Sequence, residues 1–217
     1  MPANPPPIPT TTAARKSVLP ALLIGAFLCV LLSAAVGWGV VQGFRKLQHL
    51  RVSSAPKFAA TDWASREVGE LSLESPYPFM DGPDVESRIP EAARSMIVSM
   101  KVHQSQGSPA SFLVMSSRVE YRDLPHANLD GAVNGAIQEA GKSLGDADPQ
   151  FTAIPITIDG LPGRRATYHS PDTNRPLHIE AVFTAHSNRL WQTQVIYVDP
   201  ASSPDADRIL NSLKIRR

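Results

Sequence analysis

The run from Val18 to Val41, VLPALLIGAFLCVLLSAAVGWGVV, carries no charged side chain and is bracketed by Arg15-Lys16 and Arg45-Lys46. As a helix rising about 1.5 Å per residue it reaches roughly 36 Å, enough to cross a hydrocarbon core about 30 Å thick with some tilt. A chain with such a run is expected to be a single-pass membrane protein of the cell membrane, with residues 17–44 as its transmembrane helix. Trp38 and Phe44 fall toward the end of the run, where aromatic rings favour the interface. The other reading is a cleaved signal peptide, because Ser33-Ala34-Ala35 offers small residues at a cleavage position. Against that, the apolar run continues past Ala35 to Val41 and exceeds a usual signal h-region.

The flanking cations leave the orientation open. Arg15, Lys16 and the α-amino group stand on one side, and Arg45, Lys46, Arg51 and Lys57 on the other. The positive-inside rule then slightly favours a cytoplasmic C-terminal domain, whereas a short tail before a long domain is common among anchors that export it. Within the span, Ala35, Gly39 and Gly43 recur every four residues on one helix face, a ridge that would let two copies approach as a weak homodimer.

Three segments flank or follow the span. Residues 1–16 form a proline-rich tail with Pro2, Pro5, Pro6, Pro7 and Pro9, a composition expected to stay disordered with polyproline character. Residues 45–66 form a juxtamembrane segment and linker, broken by Ser53, Ser54 and Pro56. Residues 67–217 remain for one domain of about 150 residues, an ordinary size for a single core. The single cysteine, Cys29, lies in the span, so no intramolecular disulfide is possible and cysteine usage does not report the compartment. A net charge of +1 gives no reason to expect nucleic acid as a partner.

Inside the domain the apolar period alternates between two and about 3.6, the mark of an α+β fold. Leu71 and Leu73 open a short first strand, and 81–94 is turn-rich with a brief helical turn around Pro90 to Arg94. Met96, Val98, Met100 and Val102 alternate with polar residues as one strand. After the QGSP turn, with Gly107 and Pro109, Leu113, Met115, Val119 and Tyr121 share a parity as its hairpin partner.

From Leu129 the apolar residues fall at Val133, Ala136, Ile137, Ala140 and Leu144, with Asn128 placed to cap the helix and Gly145 to end it. Strands follow over Thr152–Ile158, Arg164–Ser170, Leu177–Ala185 and Leu190–Val198, separated by turns at Asp159–Gly163 and His186–Asn188. A short helix over Pro204–Ser212 closes the domain. Short turns between consecutive strands make the sheet mostly antiparallel.

This order of elements, with LSLESPYPF, ITIDGLPGRRATY, NRLWQTQVIY and the terminal DRILNSLKI, resembles the PsbP-like superfamily over about residues 67–215. That superfamily includes extrinsic photosystem II subunits, a Ran-binding nuclear import factor and many uncharacterised bacterial membrane or lipid-anchored proteins. The resemblance implies a PsbP-like α/β/α sandwich with a mostly antiparallel sheet, serving as a binding or accessory module. With a span outside the matched region, it points to a bacterial membrane-anchored branch. Fold analogy carries no function by itself, and it transfers no catalytic residue.

The best local cluster is His169, His178 and Glu180. A symmetric hairpin around Thr173-Asn174 places His169 opposite His178, and period two puts Glu180 on their face. Two imidazoles and a carboxylate are a ligand set for Zn²⁺ with an open position, and one register slip would separate them. The alternative is a solvated polar strand face. Asp146 and Asp148 stand in a turn where carboxylates are usually solvated, and alternation sends Arg164 and Arg165 to opposite faces. No nucleophile elbow, phosphate loop, dinucleotide fingerprint or HExxH is present, so no catalytic residue or cofactor is assigned.

Three functions are compatible with these residues. The first is a membrane-tethered, non-catalytic module that meets the lipid bilayer through its anchor and a protein partner of unknown identity through its domain. The second is a metal-dependent hydrolase using the histidine cluster. The third is an apolar-ligand-binding protein, which would need an unfilled pocket between sheet and helix.

Overall fold

The computed structural model describes residues 62–82, 84–85, 89, 91–106, 108, 111–171 and 176–216. The expected tail, the span and Ala35, Gly39 and Gly43 lie outside the described residues, as do Gly107, Pro109, Thr173 and Asn174. Among the described residues no helix is long and apolar enough to cross a membrane.

The order is β1 (Ala64–Val68), β2 (Leu71–Ser75), β3 (Phe79–Asp81), α1 (Glu91–Arg94), β4 (Ile97–Ser105), β5 (Phe112–Tyr121), α2 (Leu129–Ser143), β6 (Phe151–Ile158), β7 (Leu161–His169), β8 (His178–His186), β9 (Arg189–Tyr197), a 3₁₀ turn (Pro200–Ser202), α3 (Ser203–Asn211) and β10 (Lys214–Ile215). The strands make a seven-stranded sheet, β3-β4-β5-β9-β8-β7-β6, and a three-stranded sheet, β1-β2-β10. Every neighbouring pair is antiparallel.

Alternation along the strands builds two cores, one on each face of the large sheet. Leu190 and Ile196 of β9 join Met115, Val119 and Tyr121 of β5 and Ala132, Val133, Ile137 and Ala140 of α2 in one core. Trp191, Val195 and Tyr197 join Phe112 and Val114, the β1–β2 hairpin, and Ala206, Ile209 and Leu210 of α3 in the other. The expected α/β/α sandwich is therefore corrected on one side, where a three-stranded sheet shares the covering layer with α3.

α2 begins and ends as its sequence dictates. The Asn128 side chain accepts a hydrogen bond from the Gly131 amide at 3.0 Å, and Gly145, at φ +84°, takes the left-handed position just beyond the Leu144 cap. Gly141 lies where a Cβ would come within 2.1 Å of Pro149 Cγ, so the helix end and the following turn are in direct contact.

Four local expectations are corrected. The first strand is Ala64–Val68, so the fold starts inside the stretch expected as linker. In β4, pairing passes from Ile97↔Tyr121 to Ser99↔Glu120 across a bulge, which buries Ile97 and leaves Val98 half exposed. The β6–β7 connection is the two-residue turn Asp159-Gly160, with φ of 48° and 78°, and the strand resumes at Leu161 rather than after Gly163. Asp146 is no bare turn carboxylate, because it accepts a hydrogen bond from the buried Tyr168 hydroxyl at 3.0 Å.

Candidate functional site

The register of β7 on β8 pairs His169 with His178, and Glu180 stands two residues along β8 on the same face. The rings touch, with Nδ1 to Nδ1 at 2.6 Å. Such a bond needs one protonated and one bare Nδ1, so at least one ring is neutral. His178 also stacks on Tyr197 at 5.0 Å between centroids. Burial lowers its pKa first, and a charge on His169 lowers it further, against the opposing pull of Glu180 and Asp199.

Glu180 is buried, and both its oxygens are occupied. Oε1 accepts from the Tyr197 hydroxyl at 2.6 Å and, more distantly, from Ser203 Oγ at 3.4 Å; Oε2 pairs with Arg165 Nη2. Arg165 also pairs with Asp207 and donates to Asn211 Oδ1 at 3.1 Å, both on α3. Burial would lower the arginine pKa, and Glu180 and Asp207 more than offset it, so the guanidinium stays charged. The Tyr197 hydroxyl is pushed up to about 12 by burial and by its bond to Glu180.

This network ties β7, β8 and β9 to α3. It brings the three sequence-identified residues to one sheet face and spends the carboxylate on structural partners. Among the described residues no group of three His, Cys, Asp or Glu side chains is placed to hold a metal ion. Arg164 goes to the opposite face and pairs with Asp130 of α2 at 2.8 Å, as alternation requires.

A second arrangement was not legible in the sequence. The β1–β2 turn overhangs the large sheet and leaves a cleft of about 260 Å³ lined by Gly69, Glu70, Lys101, His103, Arg118 and Trp191. A further cleft of about 260 Å³, beside β3, shares Lys101 and His103 with it and adds Asp81, Gly82 and Asp84. His103 Nδ1 lies 3.3 Å from the Asp81 carboxylate, and Arg118 Nε lies 3.1 Å from that of Glu70. These residues come from β1–β2, β3, β4, β5 and β9. No local sequence window contains them together.

The space between the large sheet and the α3 layer, lined by Leu71, Ile158, Val182, Trp191 and Leu213, holds only about 10 Å³. That is too small for an apolar ligand, against pockets of roughly 300 Å³ or more for small molecules.

No family model matches the sequence, and no curated protein matches it. Among solved structures, the chain is similar to a protein from Bacteroides thetaiotaomicron (12% identity, 68% of this chain, TM-score 0.37), and it spans 46% of that protein's length. It is similar to the solution structure of the cyanobacterial PsbP, CyanoP, from Synechocystis (14% identity, 76% of this chain and 98% of that one, TM-score 0.45). It is also similar to LpqN of Mycobacterium tuberculosis, described as involved in cell envelope biogenesis (12% identity, 72% of this chain and 80% of that one, TM-score 0.36).

Proposed function

We propose that this protein is a membrane-tethered, non-catalytic binding module whose C-terminal domain engages a protein partner, with the apolar run 17–44 as its anchor. The observation that carries the reading is the pair of clefts meeting over Lys101 and His103, an open concave surface built by six strands, β1 to β5 and β9. The cluster with a ligand-like composition supports no rival site, because Glu180 is spent on Tyr197, Arg165 and Ser203. A hydrolase would need that carboxylate free to bind a metal or move a proton.

Cross-linking of the full-length protein in its native membrane, with residues 1–52 alone as control, tests the reading. A reproducible partner captured only when the C-terminal domain is present is the expected result. Capture of the same species by the anchor segment alone, or hydrolytic turnover lost in Glu180→Gln, would overturn it.

A further inference from the structure

β7 ends and β8 begins on facing histidines. Ser170 N–H donates to Leu177 O at 2.8 Å, which makes Ser170 and Leu177 a hydrogen-bonded rung. His169↔His178, one step inward, is then the rung between bonds, where opposed side chains come closest. Their Nδ1 atoms stand 2.6 Å apart, which leaves room for one hydrogen between them. We propose that this pair is a proton-operated clasp on the end of the β7–β8 hairpin: it holds while either Nδ1 is bare and lets go when both are protonated.

The protonation states of the two rings set the grip. With both rings neutral, one Nδ1–H points at one bare Nδ1. With one ring charged, the same hydrogen bond is charge-assisted and stronger. With both rings charged, two hydrogens face each other across 2.6 Å, and the contact cannot exist. The grip therefore survives the first proton and fails at the second.

The second proton moves the strand end, because the two rings are held unequally. His169 is exposed, while His178 is stacked on Tyr197 with its Nε2 buried and without a partner among the described residues. A charged His178 carries a hydrogen on that Nε2 as well, and a buried donor without an acceptor is costly. Turning His169 into solvent relieves the clash at Nδ1 but leaves this cost. Only withdrawal of His178 from Tyr197 removes both, and that ring stands on the last rungs of the hairpin.

The groups around His178 pull in both directions. Glu180 on its own strand and Asp199 beyond β9 favour its charge, but Glu180 is committed to Arg165 and Tyr197, and Asp199 accepts from the Ala201 amide. Tyr197, pushed up to about 12, stays neutral, and Asp207 faces Arg165. Burial and His169 outweigh the two carboxylates, so the closed clasp resists the second proton. Asp172 and Arg175 belong to the connecting turn, outside the described residues. An opened end exposes both rings to water, where each titrates near about 6.5, so opening is favoured as pH falls below that value.

The clasp is independent of the partner reading and is tested without any partner. Amide hydrogen exchange is followed on the full-length protein in phosphatidylcholine nanodiscs, resolved to single amides and corrected for the intrinsic rate at each pH. From pH 7 to pH 5 the protection of the Ser170 amide is expected to fall about fivefold or more, against a ceiling of about tenfold per pH unit for one proton. The opening is local, so Ser170 exchange should not respond to sub-denaturing urea, whereas that of Ala181, paired with Ala166 in the middle of the same strands, should accelerate. His178→Phe is expected to abolish the fall at Ser170, and His169→Asn to reduce it by about half through loss of the like charge. His186→Asn, at an exposed histidine on the far end of β8, is expected to leave it intact.

Ser170 protection that does not change with pH, that follows urea in step with Ala181, or that falls undiminished in either His178→Phe or His169→Asn would overturn the clasp. So would a fall removed by Asp172→Asn with both histidines in place, because the turn carboxylate would then be the sensor.

Discussion

Over one face of the large sheet, α2 lies close against small and apolar side chains. Over the other, α3 and the three-stranded sheet are held around buried charge. On the α2 side the contact residues are Ala132, Val133, Ala136, Ile137 and Ala140, with the Asp130–Arg164 pair at the rim. On the α3 side, Ala206, Ile209 and Leu210 share the interface with Arg165, Glu180, Tyr197, Ser203 and Asp207. Shape holds the first layer. The second depends also on polar groups that tolerate no loss of a partner, because a buried charge left alone is far costlier than a missing methyl group.

The largest expected effect falls on that second layer. Glu180→Ala leaves the Arg165 guanidinium and the Tyr197 hydroxyl without their main acceptor, and is expected to cost about 3–5 kcal/mol of urea stability. A loss below about 1 kcal/mol, the surface-pair range, would remove the distinction between the two faces. On the α2 side, Gly141→Ala drives a Cβ into Pro149 and is expected to destabilise by about 1–3 kcal/mol, despite the better helix propensity of alanine. If Gly141→Ala were stabilising, close approach would not be what holds that layer.

The polar layer is also expected to respond to acid. The His178 pKa is lowered in the fold by burial and then by His169, so between that value and the ordinary one of about 6.5 the unfolded chain binds more protons than the native protein. Stability should therefore fall as pH falls below about 6.5 and stop responding to this group below the folded pKa. His178→Phe, which keeps a ring over Tyr197, should flatten the profile measured by urea denaturation across that window. An unchanged slope would show that His178 is not the responding group.

The smallest effect belongs to the rim of the α2 face. Arg164→Ala removes an ion pair whose aspartate is 70% exposed, and should change stability by about 0–1 kcal/mol.

Features set by a short stretch of chain were legible before the structure. α2 announced itself through Asn128, its apolar period and Gly145, because a cap, a face and a stop all lie within one window. The His169↔His178 pairing followed from a hairpin taken as symmetric around Thr173-Asn174. Features that depend on several strands were not legible. Ile97 and Val98 exchange places because of a bulge that no alternation rule contains. Strand β1 was missed because Ser65, Arg66 and Glu67 carry no apolar period, and it is fixed by pairing with β2. Glu180 looked like a ligand because its partners come from β7, β9 and α3. The cleft stayed hidden because its row of Lys101, Arg118 and Trp191 exists only across three strands.

The central claim is that this domain works by binding, through the concave surface over Lys101 and His103. A photo-reactive residue placed at Asp81, on the rim of that surface, and separately at Ile154, exposed on β6, compares the two ends of the large sheet in the native membrane. The account predicts a discrete cross-linked partner from position 81 and none from position 154. Equal capture from both positions, or capture from position 154 alone, would contradict it.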